Sequence, residues 1–245
     1  MKMNLRSLLT GVLLVLLLAG TVFFIKRNKL VPALPPQSVT GALDLRASLK
    51  VQGPATASVK IVEYSDFECP SCRVVQADLR GLFKNYPGQI QLTFKHFPLK
   101  MHRWSIYAHQ AAECMSAQGK FWPYQDKLYE KQPEWSPSTV PPVAIFARYA
   151  RELGADMDRF GKCMTDVAVT REIYAEKEEG NKRQVGATPT FFLGEERFVG
   201  PKEMQERGEN AVRKVLGLPP KPVPEKKQEP AAPVFPIGIP KQKVS

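Results

Sequence analysis

The feature that most constrains the fold of this chain is a pair of cysteines at the junction of a strand pattern and a helix pattern. Residues 58–64 (SVKIVEY) and 89–97 (QIQLTFKHF) are rich in β-branched and aromatic residues, which is typical of strands. Residues 70–86 between them have helical apolar spacing, and we predict that their core face consists of Val74, Leu79, Leu82 and Phe83. The motif Cys69-Pro70-Ser71-Cys72 therefore lies at the strand-to-helix turn of a β-α-β unit.

Further along the chain, residues 190–193 and 197–199 predict a short hairpin. A last helix is predicted from Pro201 to Gly217, with Met204, Val212, Val215 and Leu216 as candidate core positions. The 85 residues 102–186 exceed what a crossover helix needs and show helical spacing, including a probable helix cap at Asp156. We therefore predict an α/β fold with an inserted helical subdomain.

The spacing of the first two cysteines favours thiol exchange. A helix N-terminus stabilises a thiolate through its unpaired amides and its dipole, and Cys69 is predicted to lie at such a position. Pro70 costs little in a first turn because the N–H that it lacks would be unpaired there. We expect Cys69 to attack and Cys72 to resolve the mixed disulfide. The alternative is half of a zinc site, for which the chain has no second CxxC motif.

A second feature lies just before the predicted hairpin, where Thr188-Pro189 precedes the residues TFFL. A strand-edge X-Pro bond is a place where a rare cis peptide is retained, although an ordinary trans turn is the alternative. Four segments occur in a fixed order: 61–72 (IVEYSDFECPSC), 95–99 (KHFPL), 118–122 (QGKFW) and 186–192 (GATPTFF). Together they resemble the DsbA-like branch of the thioredoxin superfamily, over about residues 51–216.

That resemblance implies a thioredoxin fold and a cis Thr188-Pro189 bond that faces the CxxC motif. It makes Cys69 the nucleophile, Cys72 the resolving thiol, and Thr188 and Pro189 a substrate-binding loop, next to Pro70 and Ser71. It also implies oxidation of extracytoplasmic polypeptides without any cofactor besides the redox disulfide, and reoxidation by a quinone-linked membrane partner of the DsbB or VKOR type.

One residue departs from the pattern of the best-known DsbA proteins, which carry His at the position of Ser71. The dipeptide between the cysteines tunes thiolate stability, so the direction of electron flow stays open. A reductase or isomerase on the same scaffold is one alternative. A carrier that holds copper or zinc through the two thiols is another.

Glu63 matches an acidic residue beneath the active site of the resembled family. Strand alternation places it on the same face as Ile61, which predicts burial, and a buried carboxyl with a raised pKa can relay a proton to Cys72. A structural acid paired with Lys95 on the neighbouring strand is the alternative.

The remaining cysteines, Cys114 and Cys163, fall on two different predicted helices. We hypothesise that they form a structural disulfide within the insertion. Two buried free cysteines, or a second redox pair, are the alternatives. Four cysteines in total fit an oxidising compartment.

The two ends of the chain carry most of its net charge of +11, with +5 in residues 1–30 and +3 in residues 219–245. The part between them is nearly balanced, which argues against nucleic-acid binding. Residues 7–25 hold no charged side chain and are long enough to span a bilayer, so residues 1–30 are predicted to be a membrane anchor, or alternatively a cleaved signal segment.

The predicted order is thus an anchor, a linker over residues 31–50, a DsbA-like domain over residues 51–218, and a disordered Pro- and Lys-rich tail over residues 219–245. The anchor is expected to cross the cytoplasmic membrane once. Because the cysteine content indicates an oxidising compartment, the catalytic domain is expected on the extracytoplasmic, or periplasmic, side.

Overall fold

A computed structural model describes residues 50–221 of the chain. Within that range no helix combines the length and the apolar character needed to cross a bilayer. The predicted anchor (1–30), the linker up to residue 49 and the tail from residue 222 lie outside the described residues.

A mixed five-stranded sheet forms the centre of the described part. Its strands are β1 (Val51–Gln52), β2 (Val59–Ser65), β3 (Ile90–His96), β4 (Thr190–Leu193) and β5 (Glu196–Val199). They lie in the order β1-β3-β2-β4-β5, with β2 parallel to β3 and every other neighbouring pair antiparallel. The predicted β-α-β unit and hairpin are therefore confirmed, whereas β1 was not predicted because two residues cannot show an alternating pattern.

Helices make up most of the rest. They are α1 (Pro70–Asn85), α2 (Ser105–Ser116), α3 (Phe121–Glu130), α4 (Gln132–Trp135), α5 (Val143–Glu152), α6 (Met157–Met164), α7 (Val167–Lys182), α8 (Gly200–Glu203) and α9 (Glu209–Val215), with a π-helical turn at Met204–Gly208. The six helices α2 to α7 lie between β3 and β4, inside the range predicted as a helical insertion. Asp156 caps α6 by accepting hydrogen bonds from the amides of Asp158 and Arg159.

Helix α1 packs against the sheet with the predicted residues, except at Val74. Val74 is 51% exposed, so its prediction as a core residue was wrong, while its neighbour Val75 is fully buried. Val75 aligns with Leu79 and Leu82 at spacings of four and three residues, and these three side chains share one face of the helix. Phe83 is partly buried against the same core.

The segment predicted as one final helix is interrupted. Helices α8 and α9 flank the π-helical turn, where the Sδ atom of Met204 would lie only 2.5 Å from a Cβ atom at Gly208. Met204 and Val212 are buried as predicted, but Val215 is 46% exposed and its prediction as a core residue was wrong.

The insertion has its own apolar core, in which Trp135 and Phe146 are fully buried. This core also contains Cys69, Cys72 and Phe67, so it extends directly to the strand-to-helix turn. The insertion therefore forms one wall of the region around the two cysteines. Cys114 on α2 and Cys163 on α6 are joined by a disulfide with an S–S distance of 2.01 Å.

Candidate active site

Cys69 stands at the N-cap of α1, just after the turn that follows β2. Its backbone is extended (φ −72°, ψ 120°), and its carbonyl accepts hydrogen bonds from the amides of Cys72 (3.1 Å) and Arg73 (3.3 Å). Pro70 occupies the first turn, where a free amide would lack a partner in any case. The chain thus places the sulfur of Cys69 over the unpaired amides of a helix N-terminus, as the sequence predicts.

The two active-site cysteines are free thiols and differ in accessibility. Cys72 is completely buried, whereas Cys69 retains 7% of its surface. Both cysteines are thus buried, and of the two only Cys69 has any surface in contact with solvent.

The two thiols also differ in acidity. The pKa of Cys69 is lowered to about 5, because the neighbouring Cys72 thiol, and to a lesser extent the Thr188 side chain and the amides of Cys72 and Ser71, outweigh the opposing effect of burial. Burial and the nearby thiolate charge raise the pKa of Cys72 well above its ordinary value. At neutral pH the pair therefore holds one negative charge, located on Cys69.

The predicted substrate-binding loop lies directly beside this sulfur. The Thr188-Pro189 bond is cis, and the carbonyl oxygen of Thr188 lies 3.4 Å from the Sγ atom of Cys69. The hydroxyl of Thr188 is buried and has no other hydrogen-bond partner, which leaves it available to donate to the thiolate. The structure brings together Cys69, Pro70, Cys72, Thr188 and Pro189.

Glu63 is fully buried on β2, and neither of its carboxylate oxygens has a hydrogen-bond partner. Burial raises its pKa to about 7, with a partial offset from the nearby Ser65 and Gln76 side chains. The suggested ion pair between Glu63 and Lys95 is wrong, because Lys95 binds Glu179 at 2.9 Å. Side chains alternate along β3, and Lys95 lies on the face opposite to that of the buried Phe94 and His96.

Asp66 was not singled out from the sequence, yet it lies at the centre of the site. Its carboxylate accepts hydrogen bonds from the Leu99 amide (2.7 Å), the His102 ring (2.8 Å) and the Ser105 hydroxyl (2.7 Å). Its backbone amide lies 3.5 Å from the Sγ atom of Cys72. Burial alone would raise the pKa of Asp66, but the hydrogen bonds, led by that of His102, hold it below its ordinary value.

A chain of buried polar side chains extends from this region towards the edge of the sheet. His96 contacts His109 (Nδ1 to Nδ1, 2.6 Å) and Glu113 (2.9 Å), and Lys50 binds both Glu113 (3.0 Å) and Glu176 (2.8 Å). Burial lowers the pKa of both histidines. Within residues 50–221, the acid–base partners of the buried Glu113 are Lys50 and the His96 ring, which favours its neutral form.

Among residues 50–221 there is no cluster of three or more His, Cys, Asp or Glu side chains arranged to bind a metal ion. The three histidines, His96, His102 and His109, contact acids and each other.

Comparison with known proteins agrees with this geometry. The thioredoxin family model matches residues 48–210, about two thirds of the chain. The chain belongs to the thioredoxin family. The predicted resemblance is thereby confirmed.

Solved structures of thioredoxin-family proteins share its architecture. A thioredoxin-like oxidoreductase from Silicibacter pomeroyi DSS-3 is 26% identical, with a TM-score of 0.58 over 69% of this chain and 92% of that one. The α-DsbA1 protein of Wolbachia pipientis is 22% identical, with a TM-score of 0.60 over 69% of this chain and 90% of that one. Together, the family model and these structures show the thioredoxin family and its fold for this chain.

A curated relative with a different name matches over a similar range. It is the Na⁺/H⁺ antiporter NhaA 3 of Salinispora tropica, which is 34% identical over 156 residues, or 63% of this chain and 23% of that protein. The chain thus spans about a quarter of the length of the curated relatives that it matches.

Proposed function

We propose that this thioredoxin-family protein oxidises cysteine pairs in polypeptides of the cell envelope, donating its Cys69–Cys72 disulfide to reduced clients. The observation that carries the proposal is the unequal acidity of the two sulfurs. A thiolate that is stabilised in the reduced protein makes the disulfide form the stronger oxidant.

The reaction balances as two successive exchanges. A client thiolate attacks the Sγ atom of Cys69, the Cys69–Cys72 bond breaks, and Cys72 leaves as a thiolate that takes up a proton. A second client thiolate then attacks the client sulfur of the mixed disulfide and releases Cys69 as a thiolate. The client loses two electrons and gains a disulfide, and the protein gains both electrons.

The low pKa of Cys69 favours the second step, because a more acidic thiol is a better leaving group. With a pKa of about 5, Cys69 is almost entirely ionised at pH 7. Ionisation of Cys69 at a pH two units above its pKa stabilises the reduced protein by about 2.7 kcal/mol. This raises the reduction potential of a two-electron couple by roughly 60 mV.

Clients are proposed to bind as extended backbone beside the Thr188-Pro189 loop. The cis bond places the Thr188 carbonyl within 3.4 Å of the attacked sulfur. Recognition through backbone atoms makes few demands on client side chains, which suits an enzyme with many clients.

The proposed location is the extracytoplasmic side of the cytoplasmic membrane. The Cys114–Cys163 disulfide supports an oxidising compartment. A DsbB- or VKOR-type quinone-linked membrane protein is the proposed reoxidant, and no cofactor besides the redox disulfide is proposed. Labelling of intact spheroplasts with a membrane-impermeant maleimide, after the Cys69–Cys72 disulfide has been reduced, tests the location: modification of Cys69 only after lysis would place the site inside.

Equilibration of the purified protein in glutathione buffers tests the direction of electron flow. We expect a reduction potential near or above about −180 mV, in the range of oxidising family members. A value near −270 mV, that of reducing thioredoxins, would instead assign a reductase. The Cys72→Ser variant is the control, because it cannot form the internal disulfide and should show only mixed disulfides with glutathione.

A further inference from the structure

His102 is tied to the redox motif through one carboxylate. Its Nδ1 atom lies 2.8 Å from the Oδ2 atom of Asp66. The backbone of Asp66 contacts both cysteines, since its carbonyl accepts from the amide of Cys69 (3.1 Å) and its amide lies 3.5 Å from the Sγ atom of Cys72. The residue that orients the imidazole therefore also belongs to the turn that carries the thiols.

Asp66 is itself held rigidly, so the imidazole has a defined orientation. Its Oδ1 atom accepts from the Glu68 amide (2.9 Å) and the Ser105 hydroxyl (2.7 Å), and its Oδ2 atom also accepts from the Leu99 amide (2.7 Å). A carboxylate with all these partners cannot turn away without breaking several hydrogen bonds. The side chain of His102 keeps 16% of its surface exposed, so the ring can exchange protons with solvent.

The charges around the imidazole favour its protonated form. The hydrogen bond with Asp66 raises the pKa of His102, burial opposes this, and the negative charges of Asp66, Cys69 and Glu68 raise it further. His109 approaches the other oxygen of Asp66 at 3.7 Å, but burial lowers the pKa of His109.

On its outer side His102 lines a cavity of about 300 Å³ together with Lys100, Tyr174 and Lys177. The Nζ atom of Lys177 donates to the Pro98 carbonyl at 2.5 Å, and Lys100 is exposed. Three basic residues line this cavity: Lys100, His102 and Lys177. Within the described part of the chain, His102 is the one of these three that is hydrogen-bonded to the turn carrying the cysteines.

We propose that the His102 imidazolium, oriented by Asp66, stabilises the Cys69 thiolate and thereby helps to set the reduction potential. The Pro70-Ser71 dipeptide between the cysteines contains no cation, so the positive charge comes from the loop after β3. His102 is a positioning residue in this scheme, because it acts on the sulfur through the electric field and forms no bond with it. The inference deepens the proposed oxidase function and rests on it.

The interaction must be reciprocal. If the Cys69 thiolate favours protonation of His102, the imidazolium favours ionisation of Cys69 by the same free energy. Direct contacts from Cys72, Thr188 and the helix amides contribute most to the low pKa of Cys69, and His102 contacts the turn through Asp66 and not the sulfur itself. We therefore expect a share of ~0.5 unit from His102, equivalent to a ~threefold change in redox equilibrium, or ~15 mV.

The decisive measurement is the NMR titration of His102 in the reduced and the oxidised protein. The chain has three histidines, of which His96 and His109 are fully buried. Oxidation removes the thiolate, so the pKa of His102 should be higher in the reduced form by ~0.5 unit. Equal His102 pKa values in the two redox states would overturn the proposal.

Substitution supplies the reciprocal measurement. His102→Gln keeps a donor for Asp66 but loses the charge. In this variant the Cys69 thiolate, followed by its absorbance near 240 nm, should titrate at a pH ~0.5 unit higher. The reduction potential should fall by ~15 mV, which is a ~threefold change in the redox equilibrium constant. His102→Lys restores the charge and should recover at least half of that shift. Lys84→Gln is the matched control: it removes one exposed cation from the last turn of α1, roughly 20 Å away along the helix, and should leave both values unchanged.

The outcomes separate this inference from the proposed function. If the wild-type protein has an oxidising potential and an acidic Cys69, but His102→Gln changes neither the Cys69 pKa nor the reduction potential, the role of His102 is refuted while the oxidase function stands. If the wild-type potential is that of a reductase, the oxidase function fails whatever His102→Gln does. Near-ultraviolet circular dichroism verifies that each variant is folded before its thiols are titrated.

Discussion

Replacing Glu63 with Gln should make the protein more stable at alkaline pH and slower in thiol exchange. The carboxyl is fully buried without hydrogen-bond partners, and burial raises its pKa from 4.5 to about 7. A proton-relay group needs a pKa near the working pH, but a carboxylate that must ionise inside the core lowers the free energy of unfolding.

The magnitude follows from proton linkage. Because the folded state holds the proton more tightly than the unfolded state, stability is greatest below pH 4.5 and is lost as the pH rises through about 7. The loss is about 1 kcal/mol at pH 5 and about 3 kcal/mol at pH 8. The Gln variant has no such loss, so its stability relative to wild type should improve by about 2 kcal/mol between these pH values.

Thermal unfolding of the oxidised forms, in which the active-site thiols do not titrate, measures this difference. About 2 kcal/mol corresponds to roughly 4 to 8 °C in Tm for a domain of this size. The side-chain amide of the Gln variant also lacks hydrogen-bond partners in the core, which lowers its stability at every pH. The test is therefore how the Tm difference from wild type changes with pH, and not the absolute Tm. Glu209→Gln is the control: the pKa of Glu209 is lowered from 4.5, chiefly by Lys221, so the stability that its carboxylate contributes is lost only at more acidic pH, and the Tm difference from wild type should stay the same between pH 5 and pH 8. A Tm difference between Glu63→Gln and wild type that is the same at pH 5 and pH 8 would refute the buried-carboxylate reasoning.

Exchange kinetics complete the experiment. If Glu63 relays the proton of Cys72, Glu63→Gln should slow the step in which Cys72 resolves a mixed disulfide and should flatten its pH dependence near 7. Rates that match wild type across pH would remove Glu63 from the mechanism and leave only its effect on stability.

Three further outcomes are expected. Replacing both Cys114 and Cys163 with Ala removes a disulfide that closes a loop with a sequence separation of 49. The free energy of unfolding measured in urea should fall by about 4 kcal/mol. A fall below about 1 kcal/mol would mean that the disulfide contributes little to stability. Cys72→Ser should accumulate client mixed disulfides that reducing agent releases, and their persistence in a Cys69→Ser, Cys72→Ser double variant would show that they form elsewhere. Gly180→Ala should lower stability by about 1 to 3 kcal/mol, because its Cβ atom would lie 2.8 and 2.9 Å from two buried aromatic rings, and an unchanged Tm would show that the rings can move apart.

Local patterns were sufficient to predict the elements that frame the site. The β2-α1-β3 unit and the β4-β5 hairpin follow from runs of β-branched residues interrupted by helical spacing. The errors come from tertiary packing: Val74 and Val75 are equally apolar, and only the orientation of α1 on the sheet decides that Val75 is inside. Helix α1 begins at Pro70 as predicted, because a cap and a proline mark its start locally.

The chemistry of the cysteines could likewise be predicted from the sequence, whereas the polar residues around them could not. A CxxC motif carries its spacing and helix position in four residues. The link between Asp66 and His102 joins positions 36 residues apart, and no local periodicity marks it. An Asp three residues before the first cysteine, together with a His in the loop after the second strand, was the available signal, but it acquires meaning only once the two segments are known to meet.

Lys50 shows how far the folded unit reaches towards the N-terminus. It precedes the first strand, yet it is 97% buried and lies between the carboxylates of Glu113 and Glu176, two residues that belong to the insertion. An expressed fragment that started at Val51 would keep every strand and helix that the structure describes but would leave Glu113 as an internal anion without its cation, at a cost of several kcal/mol. A fragment made for expression should therefore begin upstream of that lysine.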